Sequence, residues 1–418
     1  MIDSSREKIM SQVSSKTKAE KRSISYLNYI CVLFFLSYGM LSLDASSVSY
    51  ISDVIMKELG ISVSQYSVLS SSIWCTKAFS SIALGILADR LGKRKILLGP
   101  LLIVAGVLSI LTSLSNDFAL ILTYRLLCGF CIGASLSMMV SIVKKNLVKN
   151  DFGARSGFVS CGSALISSTL GPIVLAFIVL SFSWRGSFVF TGSTLLALGV
   201  LIQLTVKEVS YPVKINAGKQ MGFFTSFRRL LANRTFVLCL LIGIFETAGK
   251  MSITIFGPVY LTDVCLASTE QKGTILSVMG LVYIPMSLIV PMLADRYKPS
   301  MVMALTFVCS AFAPLSMALL PGTRISIVLL MLLGNLAAST VSLFIYVIPS
   351  KVLPPELTGT ANGIIMGLSV FFGGFICPIL FGRILSVGGG FGTVSLICVG
   401  SFVICVILSM MIGDLKEN

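Results

Sequence analysis

Long apolar stretches alternate with short polar turns along almost the whole chain. Each stretch has about the 20 residues that an α-helix needs to cross the hydrocarbon core of a bilayer. The pattern therefore predicts an all-α membrane protein with twelve transmembrane helices, which brings both chain ends to one side of the membrane. We place these helices near residues 26–50, 63–88, 95–115, 118–143, 155–180, 184–206, 235–262, 271–294, 299–320, 325–348, 358–384 and 391–412.

Basic residues concentrate in the turns on one side of these helices. Of the 32 lysines and arginines, 24 lie on the side of the N-terminal segment, five on the opposite side and three inside apolar stretches. Cytoplasmic loops of membrane proteins carry such an excess. We therefore expect a multi-pass protein of the plasma (inner) membrane with both termini in the cytoplasm. The net charge of +15 then reflects topology and contact with membrane lipids, not nucleic-acid binding.

Composition excludes an ordinary soluble protein. The chain is 55% hydrophobic and 12% charged, whereas soluble domains carry about a quarter charged residues. No metal-ligand spacing, nucleotide-binding loop or catalytic triad is visible in the sequence. We therefore expect neither an enzyme nor a bound cofactor or metal, and we expect a monomer.

The two halves of the chain repeat each other. Leu-Ala-Asp-Arg at 87–90 recurs at 293–296, a separation of 206 residues, and the pairs Gly157/Gly363 and Pro172/Pro378 have the same separation. Matching helix interruptions in two halves are typical of transporters. The predicted domains are a basic tail (1–25), a six-helix bundle (26–206), a linker (207–234), a second six-helix bundle (235–412) and a short C-terminal segment (413–418).

Two motifs carry a family resemblance. The turn from Gly85 to Lys95 resembles the signature G-x-x-x-D-R-x-G-x-[KR]-[KR] between spans two and three of the major facilitator superfamily, and Arg125 to Gly133 resembles its fourth-span motif R-x-x-x-G-x-x-x-G. The resemblance covers nearly the whole chain after the tail. It implies a secondary transporter with two pseudo-symmetric six-helix bundles that works by alternating access.

The resemblance also implies a conformational gate at the cytoplasmic ends of the helices. In it, Asp89 accepts hydrogen bonds from the N-terminal end of span eleven near Gly359, where the helix dipole favours an anion. Opening that contact would open the cytoplasmic side. The gate residues are Gly85, Asp89, Arg90, Gly92, Arg94, Asp295 and Arg296.

Five ionisable residues lie deep inside apolar stretches: Asp44, Lys77, Arg125, Glu246 and Lys250. Each costs about 2.5–3.5 kcal/mol at a helix centre, which favours a functional reason for their presence. Asp44 and Arg125 lie at similar depths and are expected to pair. Because the chain has no histidine, a carboxylate is the available proton carrier. We assign proton coupling to Asp44, Arg125 and Glu246, and the alternative for Arg125 is a fixed anchor between helices.

The lysines inside the membrane are the candidates for substrate binding. Lys250 follows Glu246 by one helical turn, so the two form either a functional pair or one that only lowers the cost of insertion. Lys77 either pairs with Glu246 or binds a carboxylate or phosphate of the substrate. Lys250 stands 206 residues after Asp44, which predicts an acid and a base on opposite walls of a central cavity. Weaker candidates are Tyr38, Tyr283 and Asn335.

Two kinds of transporter remain open. The segment Asp44 to Tyr50 and the pair Trp184-Arg185 resemble the anion:cation symporters of the superfamily, although Ala45 and Ile132 replace an Arg and a Glu usual there. This favours proton-coupled uptake of a small anionic or zwitterionic metabolite. The alternative is a drug:proton antiporter that exports xenobiotics, whose fifth-span motif survives here only as Gly171-Pro172.

Overall fold

All twelve predicted stretches are helical in the computed structural model, which describes residues 2–91, 93–147, 152–207 and 223–412. Eleven of the helices are long and apolar enough to cross a bilayer, and the second is long enough but rich in serine. From the first span to the twelfth they are Ser25–Tyr50, Val63–Leu91, Lys95–Leu114, Phe118–Lys145, Ala154–Ser181, Trp184–Thr205, Arg234–Asp263, Thr269–Arg296, Pro299–Leu319, Arg324–Val352, Leu357–Ser386 and Gly390–Met411.

Other helical segments lie before or between the spans. The helix that contains the first span begins at Ile2, and short helices occupy Ser52–Leu59 and Phe223–Leu231. We call the end of the molecule where spans 2 and 3, 4 and 5, and 6 and 7 are joined the tail face. We call the opposite end, where spans 1 and 2, 3 and 4, and 5 and 6 are joined, the far face.

The two halves pack in the same way. Spans 3 and 6 contact each other along their length, and spans 9 and 12 are the corresponding pair in the second half. A Cβ added to Gly106 would lie 2.6 Å from Gly192 O, so the backbones of spans 3 and 6 approach as closely as small residues permit. The prediction of an all-α protein with twelve spans in two pseudo-symmetric bundles is confirmed.

Three spans contain a π-helical segment that ends two residues before a proline. The segments are Ser163–Leu170 before Pro172, Leu343–Val347 before Pro349, and Phe372–Ile376 before Pro378. A proline inside a helix has no N–H to donate, and its ring clashes with the carbonyl one turn earlier, so the preceding turn widens. Pro172 and Pro378 correspond in the repeat, which places equivalent distortions in spans 5 and 11.

The two halves are closed against each other at the far face. Lys272 of span 8, whose side chain is 1% exposed, forms an ion pair with Asp53 between spans 1 and 2. Tyr66 Oη of span 2 donates a hydrogen bond to Ile255 O of span 7 at 2.7 Å. Gly382 of span 11 also packs so tightly against span 2 that an added Cβ would clash with the side chain of Ser67.

The helix that carries Asp53 is fixed to the first half. Glu58, on the same short helix Ser52–Leu59, accepts a hydrogen bond of 2.7 Å from Trp184 Nε1 and forms an ion pair with Arg185. The Arg185 guanidinium lies 4.5 Å from the centre of the Trp184 ring. This cluster fixes Asp53 to the first half. The ion pair between Asp53 and Lys272 therefore joins the first half to the second.

Four glycines near the tail-face ends of the spans face open space among the described residues. A Cβ added to Gly85, Gly157, Gly359 or Gly363 would meet no atom within 4 Å. These glycines belong to the tail-face ends of spans 2, 5 and 11. Deeper in the molecule, the rings of Phe79 of span 2 and Phe371 of span 11 lie 5.3 Å apart.

The predicted gate at the tail face is described only in part. Gly92 and the side chains of Asp89 and Arg90 lie outside the described residues. Gly85 faces open space, Arg94 directly precedes span 3, and Asp295 and Arg296 are exposed at the end of span 8. The contact expected between Asp89 and span 11 therefore stays a prediction.

The variant Asp53→Asn should open the far face. It leaves the buried Lys272 ammonium without its carboxylate, which weakens the closed arrangement by about 3 kcal/mol. We expect the distance between spin labels at positions 57 and 324 on the two halves, measured by double electron–electron resonance, to lengthen. Glu270→Gln, an exposed acid on the same face, is the control. An unchanged distance distribution in Asp53→Asn would contradict this assignment.

Candidate functional site

A cavity of about 280 Å³ lies between the two halves. Spans 1, 2, 4 and 5 line it from the first half, and spans 7, 8, 10 and 11 line it from the second. Its size is near the lower end of ligand pockets, which span about 300–1,000 Å³. The cavity lies below the far-face contacts, so it is closed off from that side.

Three charged residues line this cavity: Lys77, Glu246 and Lys250. Glu246 is fully buried, and its Oε1 lies 3.3 Å from Lys250 Nζ, one helical turn further along span 7. Thr247 Oγ1 donates a hydrogen bond of 3.1 Å to Glu246 Oε2, whereas Oε1 accepts no well-formed hydrogen bond. The ion pair with Lys250 is thus the main compensation for the charge at Oε1.

Lys77 reaches the cavity from the opposite half. Its Nζ lies 4.6 Å from the centre of the Trp74 ring, three residues earlier on span 2, which is the distance of a cation–π contact. None of the ion pairs among the described residues involves Lys77. If all three groups are ionised, the cavity lining has one net positive charge.

Glycines of the fourth span hold span 2 in place. A Cβ on Gly129 would clash with Ile73 O and Thr76, and one on Gly133 would clash with Ser80. The glycines of the fourth-span motif thus act by letting spans 2 and 4 touch on both sides of Lys77.

The structure brings six of the eight predicted proton-coupling and substrate-binding residues together around the cavity. They are Tyr38, Lys77, Glu246, Lys250, Tyr283 and Asn335. These six residues come from spans 1, 2, 7, 8 and 10, so their positions along the chain did not show that all of them would meet.

Asp44 and Arg125 form the expected pair, but away from the cavity lining. Arg125 Nη1 lies 3.1 Å from Asp44 Oδ2 and 3.0 Å from Asp44 O. Ser109 and Thr191 donate hydrogen bonds of 2.5 and 2.9 Å to Asp44 Oδ1, and the Arg125 guanidinium lies 4.9 Å from the ring centre of Phe188. The pair therefore joins spans 1, 3, 4 and 6 inside the first half.

This placement changes one expectation. The prediction of Asp44 and Lys250 on opposite walls of the cavity is wrong, because the Asp44 carboxylate faces the interior of its own half and Ala45 and Ser46 line the cavity instead. The assignment of Asp44 and Arg125 to proton coupling is not tested by this geometry and stays a prediction.

Sequence reasoning found Tyr38 and Tyr283 but missed the other hydroxyl groups that line the cavity. Tyr38, Ser42, Ser46 and Tyr50 follow one another at four-residue spacing and form one face of span 1. Serines of spans 5 and 11 add to this polar lining, namely Ser163, Ser167, Ser168 and Ser369. The four-residue row on span 1 was the signal in the sequence that could have found this face.

The variant Arg125→Met should destabilise the protein strongly. It leaves the fully buried Asp44 carboxylate without a cation, which costs about 3–5 kcal/mol. Asp44→Asn/Arg125→Met should cost less than the sum of its single variants, since the two residues are in contact. The melting temperatures of these variants in detergent, compared with that of the native protein, measure the loss of stability. An Arg125→Met protein that keeps its melting temperature but loses transport would contradict the anchoring assignment.

Comparison with known proteins shows the family. The family model described as Major Facilitator Superfamily matches residues 31–378. A crystal structure of a bacterial homologue of the human lysosomal transporter Spinster superposes with a TM-score of 0.77 at 15% identity, covering 93% of this chain and 96% of that one. At such low identity this likeness concerns the fold.

Three curated relatives are similar over parts of the chain. The probable sulfoacetate transporter SauU of Cupriavidus necator is 24% identical over 182 residues, which are 44% of this chain and 41% of that protein. The chloramphenicol resistance protein CraA of Acinetobacter baumannii is 27% identical over 191 residues (46% and 45%). The probable L-galactonate transporter of Escherichia coli is 26% identical over 216 residues (49% and 47%).

The chain thus spans about half the length of the curated relatives it matches. The family model, by contrast, covers most of the chain, and the family and the solved structures that match are membrane transporters and not enzymes. The chain belongs to the Major Facilitator Superfamily of membrane transporters.

Proposed function

We propose that this transporter takes up a small organic monoanion together with a proton. The observation that carries the proposal is the charge of the cavity lining, two lysines against one glutamate. A monoanion neutralises the remaining positive charge, whereas a lipophilic cation would add to it. Organic anions are also named as the cargo of two relatives, sulfoacetate and L-galactonate.

Lys250 couples the two solutes because it has two possible partners. In this structure it pairs with Glu246 at 3.3 Å. An anion bound between Lys77 and Lys250 draws the Lys250 ammonium away from Glu246. An ionised carboxylate left alone in a buried site is costly, so Glu246 takes up a proton when the anion binds. Anion and proton then cross together.

Alternating access moves the loaded cavity from one face to the other. We take the tail face as cytoplasmic, since the basic turns lie there, and assign the protein to the plasma (inner) membrane. The arrangement with a closed far face is then the one that releases solute inward. Opening the far face separates Lys272 from Asp53, and the gate around Asp89 closes the tail face in exchange.

Export of xenobiotics is the second candidate. The observation that favours it is the similarity to the chloramphenicol resistance protein CraA. Against it stand the net positive cavity lining and the small cavity volume of about 280 Å³. The two candidates differ in direction of transport, which the following experiments detect.

The variant Glu246→Gln should separate anion movement from proton movement. A glutamine cannot exchange a proton, so a pH gradient that is acidic outside should no longer drive accumulation above the external concentration. Exchange of labelled anion across the membrane should persist, because Lys77 and Lys250 remain. Uptake by purified protein in proteoliposomes measures both, with Glu270→Gln as the matched control. Undiminished accumulation by Glu246→Gln would exclude Glu246 as the proton carrier.

The variant Lys77→Met should lose affinity for the anion. A hydrogen bond to a charged group contributes about 1.5–3 kcal/mol, which corresponds to a 10- to 100-fold weaker apparent affinity. Lys57→Met, an exposed lysine at the far face, should transport like the native protein. Export of dyes that is unchanged in Lys77→Met, with no anion uptake by either protein, would favour the antiporter.

A further inference from the structure

Most of the residues that spans 1 and 5 contribute to the cavity carry a hydroxyl group. Tyr38, Ser42, Ser46 and Tyr50 form one face of span 1, and span 5 adds serines through its π-helical segment 163–170. The charged residues lie on the other elements, Lys77 on span 2 and the Glu246–Lys250 pair on span 7. The cavity therefore has charged residues on spans 2 and 7 and a hydroxyl-rich wall on spans 1 and 5.

The serines of this wall differ from those elsewhere in the membrane. A serine in a transmembrane helix usually donates to a carbonyl of its own helix, as Ser37 does to Leu33 O at 2.7 Å and Ser47 does to Leu43 O at 2.8 Å. None of the cavity serines makes such a bond, which holds for Ser42, Ser46, Ser163, Ser167 and Ser168.

Several of these hydroxyls are instead grouped around tyrosines that line the same cavity. Ser46, Ser167 and Ser168 lie near the Tyr50 hydroxyl and Ser42 lies near that of Tyr38, but none of these pairs forms a hydrogen bond in this structure. A hydroxyl donates one hydrogen bond and accepts two, so such a group can form hydrogen bonds to a bound molecule.

We propose that the substrate is a polyhydroxylated monocarboxylate, that is, a sugar acid. This inference rests on the proposed function and adds the chemical class of its anion. The carboxylate binds between Lys77 and Lys250, and the hydroxylated carbon chain lies against the wall of spans 1 and 5. The Asn335 side chain, which also lines the cavity, offers one further acceptor and two donors.

Hydroxyl-free anions fit this wall less well. They would bury serine and tyrosine hydroxyls without partners, and sites built to bind a substrate hydroxyl discriminate strongly against analogues that lack it. A dicarboxylate would place its second charge beside these hydroxyls, where the described lining holds no further cation. The names of the relatives do not decide between these classes, since they include sulfoacetate as well as L-galactonate.

Competition in proteoliposomes tests the substrate class. Purified native protein is given labelled D-gluconate under a pH gradient, and hexanoate, 4-hydroxybenzoate, sulfoacetate and D-glucarate compete. Hexanoate matches gluconate in chain length and charge and lacks only the hydroxyls. We expect gluconate to bind at least about 100-fold more tightly than hexanoate, in line with hydroxyl recognition elsewhere.

A double variant tests the wall itself. Ser46→Ala/Ser167→Ala removes two hydroxyls near Tyr50, and we expect about 10-fold weaker competition by gluconate with unchanged competition by hexanoate. Ser71→Ala is the matched control, because that buried serine donates to Ser67 O of its own helix at 2.6 Å and does not line the cavity. Equal losses for both anions would overturn the assignment of the wall.

The outcomes separate this inference from the proposed function. Proton-driven uptake of hexanoate, 4-hydroxybenzoate or sulfoacetate with an affinity equal to or above that of gluconate overturns the sugar-acid inference and leaves anion symport standing. Absence of proton-driven uptake for every anion, together with dye export, overturns both. Preferred uptake of gluconate supports both.

Discussion

The ion pair between Glu246 and Lys250 is the interaction on which the account of transport depends. A charge inside a bilayer needs a partner of opposite charge. The partner of the buried Glu246 carboxylate is Lys250, which also lines a cavity large enough for a small solute and can therefore bind an anion there instead. The second lysine, Lys77, comes from the other half of the molecule. Any anion that binds both therefore links the two halves as well as the two charges.

The contacts between the two halves determine the face to which the cavity opens. Three contacts close the far face: the ion pair of Asp53 with Lys272, the hydrogen bond from Tyr66 to Ile255 O, and the tight packing at Gly382. Towards the tail face, glycines of spans 2, 5 and 11 face open space among the described residues. Packed interfaces between helices switch between discrete arrangements, so a modest change at one face is enough to move the opening from one side to the other. The Asp44–Arg125 cluster joins helices within the first half.

The sequence was sufficient for the architecture and for most of the charged site. The length of the apolar stretches predicted the transmembrane helices, and the repeat at a separation of 206 residues predicted the two halves. Depth along a helix follows from counting residues, which is why Asp44 and Arg125 were correctly paired. The direction in which a side chain points around its helix depends on which neighbours pack where. For that reason the sequence misplaced Asp44, whose carboxylate turns towards Ser109 and Thr191. The cavity serines were overlooked because most serines in membrane helices bond to their own backbone.

Proton uptake on anion binding tests the central claim most directly. Purified protein in weakly buffered detergent solution, with a pH indicator, is titrated with D-gluconate and with the best competitor among the other anions. If an anion takes Lys250 from Glu246, each bound anion brings close to one proton from solution into the native protein and none into Glu246→Gln. Saturable anion binding without proton uptake by the native protein, or equal uptake by Glu246→Gln, would contradict the account.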